Sequence, residues 1–275
     1  MDRTEELALI QRCIDLDAAG STTLGAHTGS SAAERYTDGE RFELEMRAIH
    51  RTMPVPWLHA GELPAPGTFK TLATPLGSVL ANRDAQGQAH AFHNVCRHRG
   101  AQLVAEAGGE SSRFTCPYHA WSYGLDGALL AVPGRDECFP GLEAAERGLA
   151  AIPVVEAFGL LWLCPGAPGP GDARAHLDEH LGEMAHNLAW LDMASLHVFK
   201  RHTRVWRANW KLLSEGGLES YHFRTAHRNT IGPYFLHNCS VQDRLGLHSR
   251  MVLPTKKIER QRDLPEGERR LRDFS

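Results

Sequence analysis

The sequence predicts an α+β protein with an all-β region at its centre. Three observations carry that reading. Helical apolar stripes occupy the first 50 residues, short apolar runs separated by turn signals fill residues 67–165, and a helical pattern returns after a Pro/Gly-rich boundary. That boundary is Pro165-Gly166-Ala167-Pro168-Gly169-Pro170-Gly171-Asp172. The chain therefore divides into a helical segment at 1–50, a β domain at 51–168 and a second domain over 169–275.

Taken in order, Glu5 to Leu16 reads as a short helix with Leu7, Leu9, Ile10, Cys13 and Ile14 on one stripe. Residues 20–33, rich in Gly, Ser, Thr and Ala, read as a loop. Asp38-Gly39-Glu40 leads into a second helix with Phe42, Met46 and Ile49 on one face. The runs Ser78-Val79-Leu80-Ala81 and Ala89-His90-Ala91-Phe92 are strands. Turns are expected at Asp84-Ala85-Gln86-Gly87, at Gly108-Gly109 and at Asp126-Gly127. Beyond the boundary, His176 to Leu196 reads as helix, Val198 to Val205 as a strand, and Asn209 to His227 as mostly helix interrupted at Gly216-Gly217. The charged stretch after Pro254 reads as a solvated helix or a frayed tail.

Composition narrows the function. With 275 residues and 42% apolar content the chain can bury a core, and a formal charge of −3 gives no reason to expect nucleic acid or membrane-surface partners. No apolar run reaches 18 residues, and the acidic start Met1-Asp2-Arg3-Thr4-Glu5-Glu6 has no apolar signal core. Cys13, Cys138, Cys164 and Cys239 form no disulfide-like framework and read as free thiols in a reducing cytoplasm.

Two short clusters bear the chemistry. Cys96-Arg97-His98 and Cys116-Pro117-Tyr118-His119 form C-x-H, seventeen residues, then C-x-x-H. Each contributes one thiolate and one imidazole, the ligand set of a Rieske [2Fe–2S] centre with two Cys on one iron and two His on the other. Neutral imidazoles in place of two thiolates raise the potential, so the pattern points to single-electron transfer. A structural Cys₂His₂ zinc site is the competing reading. The mixed clusters argue against it, because a zinc finger usually groups its Cys and its His separately.

A second constellation lies at Glu219-Ser220-Tyr221-His222 and His227. Glu-x-x-His sets carboxylate and imidazole on one helical face. His227, five residues on, lies about 140° round an ideal helix, so the helix must bend or end before both His share a metal. Two His and a carboxylate form the facial triad of non-haem Fe(II) oxygenases, with positions left open for O₂ and substrate.

The stretch Asn94-Val95-Cys96-Arg97-His98-Arg99-Gly100, with Cys116-Pro117-Tyr118-His119-Ala120-Trp121, resembles the Rieske domain of the ring-hydroxylating oxygenase alpha subunits. Asn209-Trp210-Lys211, Glu215, Glu219, Tyr221, His222 and His227 resemble that family's mononuclear iron site. The resemblance runs from about Glu40 to about Met251. It implies an all-β Rieske domain followed by an α+β catalytic domain of helix-grip type. It also implies that His222 and His227 ligate Fe(II), and that Glu219 bridges from His222 to a Rieske His, matching His119, on a neighbouring subunit.

Three departures stand out. The family more often has Gly where Ala120 stands, a change expected to be tolerated. Gly216-Gly217 replaces the Asn-aromatic pair that often follows the position of Glu215. The family's third iron ligand is a downstream Asp, and neither Asp243, Asp263 nor Asp273 lies in a matching motif. The sequence thus predicts an incomplete helix-grip domain, truncated at its C-terminal side, and weakly held mononuclear iron.

His176, His180 and Glu183 read as a solvated polar face, and Trp57, Trp162, Trp190 and Trp206 as core residues. Trp121 reads as a shield for the cluster or as an ordinary packing residue, and Arg97 and Arg99 flank His98 as docking groups, solvated charges or structural hydrogen-bond donors. The resemblance implies the oxygenase component of a Rieske-type mono- or dioxygenase, taking electrons from a reductase or ferredoxin and using O₂ on an aromatic or other small organic substrate. It further implies a homotrimer, with a beta subunit in some branches. The alternative is a Rieske electron carrier with no oxygenase activity of its own.

Overall fold

The computed structural model describes residues 1–25 and 28–275, organised as two compact units. One comprises Met1–Phe42, Leu181–Leu191 and Thr203–Ser275; the other comprises Glu43–His180 and Asp192–His202. The units cut across the linear division at residues 50 and 168, because the first helix packs with the C-terminal residues.

Helix α1 (Arg3–Ala18) starts at Asp2, whose side chain accepts from the Glu5 N–H at 2.8 Å. It buries the expected Leu9, Ile10 and Cys13, and also Glu6. The Glu6 carboxylate accepts from the Leu271 N–H at 2.9 Å and pairs with Arg3 at 2.6 Å. The loop predicted over 20–33 takes in residues 26 and 27, which lie outside the described residues. Short α2 (Glu34–Thr37) precedes α3 (Gly39–Glu45), which runs into a π-helical turn at Met46–His50. Neither α3 nor that turn contains a buried residue, so Phe42, Met46 and Ile49 do not form a core-facing stripe.

The β-rich unit is built from three antiparallel sheets. Its strands are β1 (Val55–His59), β2 (Thr68–Thr74), β3 (Gly77–Arg83), β4 (Ala89–His93), β5 (Gly108–Glu110), β6 (Phe114–Thr115), β7 (Ser122–Tyr123), β8 (Leu129–Ala131), β9 (Val154–Ala157) and β10 (Leu160–Leu163). The sheet orders are β1-β10-β9, β4-β3-β2-β5 and β6-β7-β8. A one-turn helix, α4 (Arg135–Cys138), follows β8. The predicted turns at 84–87 and 126–127 form, with Gly87 and Gly127 at φ of 81° and 83°. Gly108-Gly109 is instead part of β5, paired with β2. A Cβ at Gly108 would lie 3.0 Å from the Phe69 carbonyl oxygen, and one at Gly109 would lie 3.2 Å from the Phe69 ring. The glycines thus mark close strand approach rather than a turn.

The predicted helix at 176–196 is two helices, α5 (Ala173–Leu181) and α6 (Met184–Leu191), broken at Gly182 with φ of 47°. No strand forms over 198–205, where Phe199 and Val205 are 91% and 94% exposed, and Trp206 is exposed rather than in a core. Helix α7 (Trp210–Gly217) stops at the glycine pair, and residues 221–234 follow as consecutive turns. The hairpin of β11 (Val241–Leu245) and β12 (His248–Val252) precedes α8 (Ile258–Arg262). The charged C-terminal stretch is neither solvated nor frayed throughout. Ile258, Leu271 and Phe274 are buried with Leu9, Ile10, Cys13, Val241 and Val252. Charge dominates that sequence, but its sparse apolar positions are the ones that face the core.

Candidate metal centres

Two loops of like construction carry the first set of predicted ligands. In the first, the Cys96 N–H donates to the Ala101 carbonyl at 2.8 Å, and the Gly100 N–H donates to the Cys96 carbonyl at 3.1 Å. In the second, Cys116 N–H to Trp121 carbonyl is 2.8 Å, and Ala120 N–H to Cys116 carbonyl is 3.0 Å. Bridge pairing Val95↔Gln102 closes one loop, and strand pairing Thr115↔Ser122 closes the other. Gly100 and Ala120 occupy equivalent left-handed positions at φ of 75° and 56°. Ala120 thus carries a Cβ in a conformation that disfavours one, where glycine would be unstrained.

The loops present their donors as pairs. The His98 and His119 ring centroids are 4.7 Å apart. Cys96 and Cys116 are buried, and both lie close enough to Tyr123 for their charges to push its phenol pKa up, after burial and the hydrogen bond to Cys96. Among the described residues no three His, Cys, Asp or Glu side chains gather around a single metal position. A paired arrangement suits a cluster that takes two ligands on each iron.

Tyr123, which sequence reasoning did not single out, is fully buried, with its Oη 3.3 Å from Cys96 Sγ. The same oxygen accepts from the Arg97 N–H at 3.1 Å; toward a thiolate at Cys96, which has no proton to give, its hydroxyl is the donor. The only sequence signal was its place two residues after Trp121, in the strand leaving the loop. Trp121 stacks on His98 with centroids 4.8 Å apart and planes 6° apart. Burial, then the charges of His119 and Arg99, hold the His98 pKa below the ordinary imidazole value, which favours the neutral form a metal needs. The Arg99 guanidinium lies 5.7 Å from the ring centroid of exposed Tyr118.

The second set follows α7. Its N-cap Asn209 accepts from the Lys211 N–H at 3.1 Å and donates to the Tyr36 carbonyl at 3.1 Å. The Tyr36 hydroxyl donates to Glu215 at 2.8 Å, so α2 tethers α7 at two points. Glu219 and His222 lie beyond the helix, in a turn where the His222 carbonyl accepts from the Ala226 N–H at 2.8 Å. The helix therefore ends earlier than predicted, and the requirement that it end before His227 is met.

The His222 and His227 ring centroids are 5.1 Å apart. Buried Phe223, also missed by sequence reasoning, sets its ring edge-on to both, at 5.1 and 5.9 Å. His222 Nδ1 hydrogen-bonds Glu219 Oε1, and Glu219 Oε2 accepts from the N–H groups of Tyr221 and His222. Burial opposes ionisation of Glu219. The hydrogen bonds from His222 and the two backbone amides, with the His222 charge, outweigh it and hold the carboxyl below the usual range. Of the candidate third carboxylates, Asp243 is committed to Arg12 at 2.8 Å and Arg250 at 2.7 Å. Asp273 accepts from Gln261 at 3.4 Å.

The Rieske [2Fe-2S] domain family matches residues 53–153, and the catalytic domain of the ring-hydroxylating alpha subunits matches residues 193–272. The chain belongs to the Rieske oxygenase alpha subunits. It is 37% identical to the glycine betaine monooxygenase oxygenase subunit of Pseudomonas aeruginosa over 73% of this chain and 45% of that protein. It is 32% identical to the anthranilate 1,2-dioxygenase large subunit of Acinetobacter baylyi over 73% of this chain and 43% of that one.

A crystal structure of a quaternary ammonium Rieske monooxygenase superposes with a TM-score of 0.73 at 23% identity, over 82% of this chain and 61% of that chain. Naphthalene 1,2-dioxygenase superposes at 0.62 with 31% identity, over 69% and 43%. The chain spans about half the length of the curated relatives it matches. The family carries a Rieske cluster and a mononuclear iron; Cys96, His98, Cys116 and His119 are two thiols and two imidazoles of the kind the first would take, and His222 and His227 are two imidazole donors toward the second.

Proposed function

We propose that this chain is the oxygenase component, or part of one, of a Rieske non-haem iron oxygenase. The observation that carries the reading is the pairing of His98 with His119 beside two buried thiols, on two loops of identical hydrogen-bond pattern. Cys96 and Cys116 hold one iron of the cluster, and His98 and His119 hold the other. His222 and His227 hold the mononuclear iron. When bound, the two groups supply single electrons and an open position for O₂.

The residues themselves do the positioning. Tyr123 directs a proton at Cys96 Sγ and steadies the thiolate. Glu219 fixes the tautomer of His222 by accepting a hydrogen bond from its Nδ1–H, which leaves Nε2 for metal. In a homotrimer Glu219 faces the partner subunit's His119 and links the two centres. The Rieske part lies within 51–168 and the catalytic part within 169–275. A reductase or ferredoxin in the cytoplasm supplies electrons. The relatives favour a small quaternary ammonium substrate over an aromatic acid, by 37% against 32% identity. No helix among the described residues is long and apolar enough to cross a membrane.

Protein purified anaerobically is expected to contain acid-labile sulfide and to show the EPR spectrum of a mixed Cys/His cluster when reduced. Zinc without labile sulfide would sink the reading. In the assembled oxygenase Glu219→Gln should leave that spectrum intact and slow glycine betaine-dependent O₂ uptake strongly, on the order of the 10–100-fold typical of partners to metal ligands.

A further inference from the structure

The two cluster histidines differ in shelter. His119 is exposed, beside exposed Tyr118, whereas His98 is half-buried between aromatic rings. One is Trp121, stacked face to face. The other is Phe139, whose ring stands at 89° to His98 with centroids 5.6 Å apart, and at 85° to Trp121 with centroids 5.5 Å apart. His98, Trp121 and Phe139 thus form a closed trio of one stacked and two edge-to-face contacts, arrangements that aromatic rings prefer.

Phe139 comes from a separate part of the chain, and its loop is built to hold it. Pro133–Cys138 and Pro140 are all exposed, and Phe139 between them is half-buried against the core around Cys96 and Cys116. Gly134 at φ of 64° opens α4. The N–H groups of Cys138 and Phe139 donate to the carbonyls of Gly134 and Arg135 at 2.8 and 2.9 Å. The Leu142 N–H donates to the Phe139 carbonyl at 3.1 Å, and Arg135 Nη2 donates to the Leu142 carbonyl at 2.7 Å. This self-braced loop has its half-buried residue aimed at His98.

We infer that Phe139 is a positioning residue for His98 that keeps water off the imidazole side of the cluster and thereby lowers its reduction potential. The inference rests on the reading of Cys96, His98, Cys116 and His119 as ligands of a [2Fe–2S] cluster. The reduced cluster carries one more negative charge than the oxidised one. A dry aromatic wall withholds the solvation that would favour that charge, and solvent exposure is one of the controls on such potentials.

The test uses the full chain with its cluster, as wild type, Phe139→Leu and Phe139→Ala. Labile sulfide, midpoint potential, and deuterium coupling to the reduced cluster in D₂O are measured. Phe139→Ala is expected to raise the potential and strengthen the deuterium coupling, with Phe139→Leu between it and wild type. An unchanged or lowered potential with unchanged deuterium coupling in Phe139→Ala overturns the inference. If Phe139→Ala retains no cluster, Phe139→Leu and Phe139→Tyr are judged by the same two readouts. Loss of the cluster in all three makes Phe139 a residue of the fold alone, and that also overturns it. Failure of the underlying reading is separate: wild type itself would then lack labile sulfide.

Discussion

The two ligand loops share a backbone and differ in almost everything attached to it. Cys96–Ala101 and Cys116–Trp121 close with the same pair of hydrogen bonds. Yet the first has glycine at its left-handed position and a His sheltered by Trp121 and Phe139, and the second has alanine there and an exposed His. Tyr123 reaches Cys96 Sγ, and among the described residues no hydrogen bond to Cys116 Sγ is seen. A near-symmetric scaffold therefore holds an asymmetric centre. One histidine is packed between two aromatic rings and the other is open to solvent.

The sulfur side offers the largest test of that asymmetry. Tyr123→Phe removes the hydrogen bond on Cys96 and leaves the backbone scaffold in place. Hydrogen bonds to charged groups contribute about 1.5–3 kcal/mol. If about 1 kcal/mol of that is gained on reduction, the potential should fall by about 40 mV. Voltammetry of the reconstituted protein reads it, and an unchanged potential would show that the contact does not act on the cluster.

The left-handed positions offer a test of opposite signs. Ala120→Gly relieves a disfavoured conformation costing about 1–2 kcal/mol, partly offset by the greater freedom of glycine in the unfolded chain, for a net gain of about 0.5–1 kcal/mol. Gly100→Ala should lose a similar amount. Denaturant melts of both variants decide it, and equal signs would break the equivalence of the loops.

The smallest effect concerns the hairpin turns behind each loop. Asp84 accepts from the N–H groups of Gln86 and Gln88 at 2.9 and 2.8 Å and pairs with His90 at 2.8 Å. Asp126, in the second turn, accepts from the Ala128 N–H at 3.0 Å and is exposed. Burial opposes ionisation of Asp84, but the His90 hydrogen bond, the two amides and the His90 charge hold its pKa below the ordinary value. A carboxylate depressed in the folded state stabilises above its unfolded pKa of about 3.9, and that stability is lost as pH falls through the folded value. Stability should therefore decline below about pH 4. Asp84→Asn should flatten that decline, and Asp126→Asn should not. A pH series of thermal melts checks it.

Legibility followed the kind of signal. The strands at 78–81 and 89–92 were readable because alternation and turn residues are local. Residues 198–205 carry a strand-like pattern, yet no partner strand lies beside them in the sheets described, and apolar residues there stay exposed. Gly108-Gly109 looked like a turn because composition cannot distinguish a bend from a close approach. Phe139 was missed because nothing in its neighbourhood in sequence marks it, whereas Tyr123 and Phe223 lie beside predicted site residues, a signal too weak to single them out. Tyr123 and Phe139 act through a sulfur and rings brought from elsewhere in the chain, and Phe223 through the turn that sets its ring against His222 and His227.

The candidate donor set was legible in the sequence alone. Cys and His at these spacings have few chemical uses, and ligand identity is a property of side chains. The tertiary structure decided what surrounds the donors: which histidine is sheltered, which sulfur receives a hydrogen bond, which carboxylate is committed to arginine. Those outcomes depend on packing between segments far apart in sequence, and local periodicity contains no information about it.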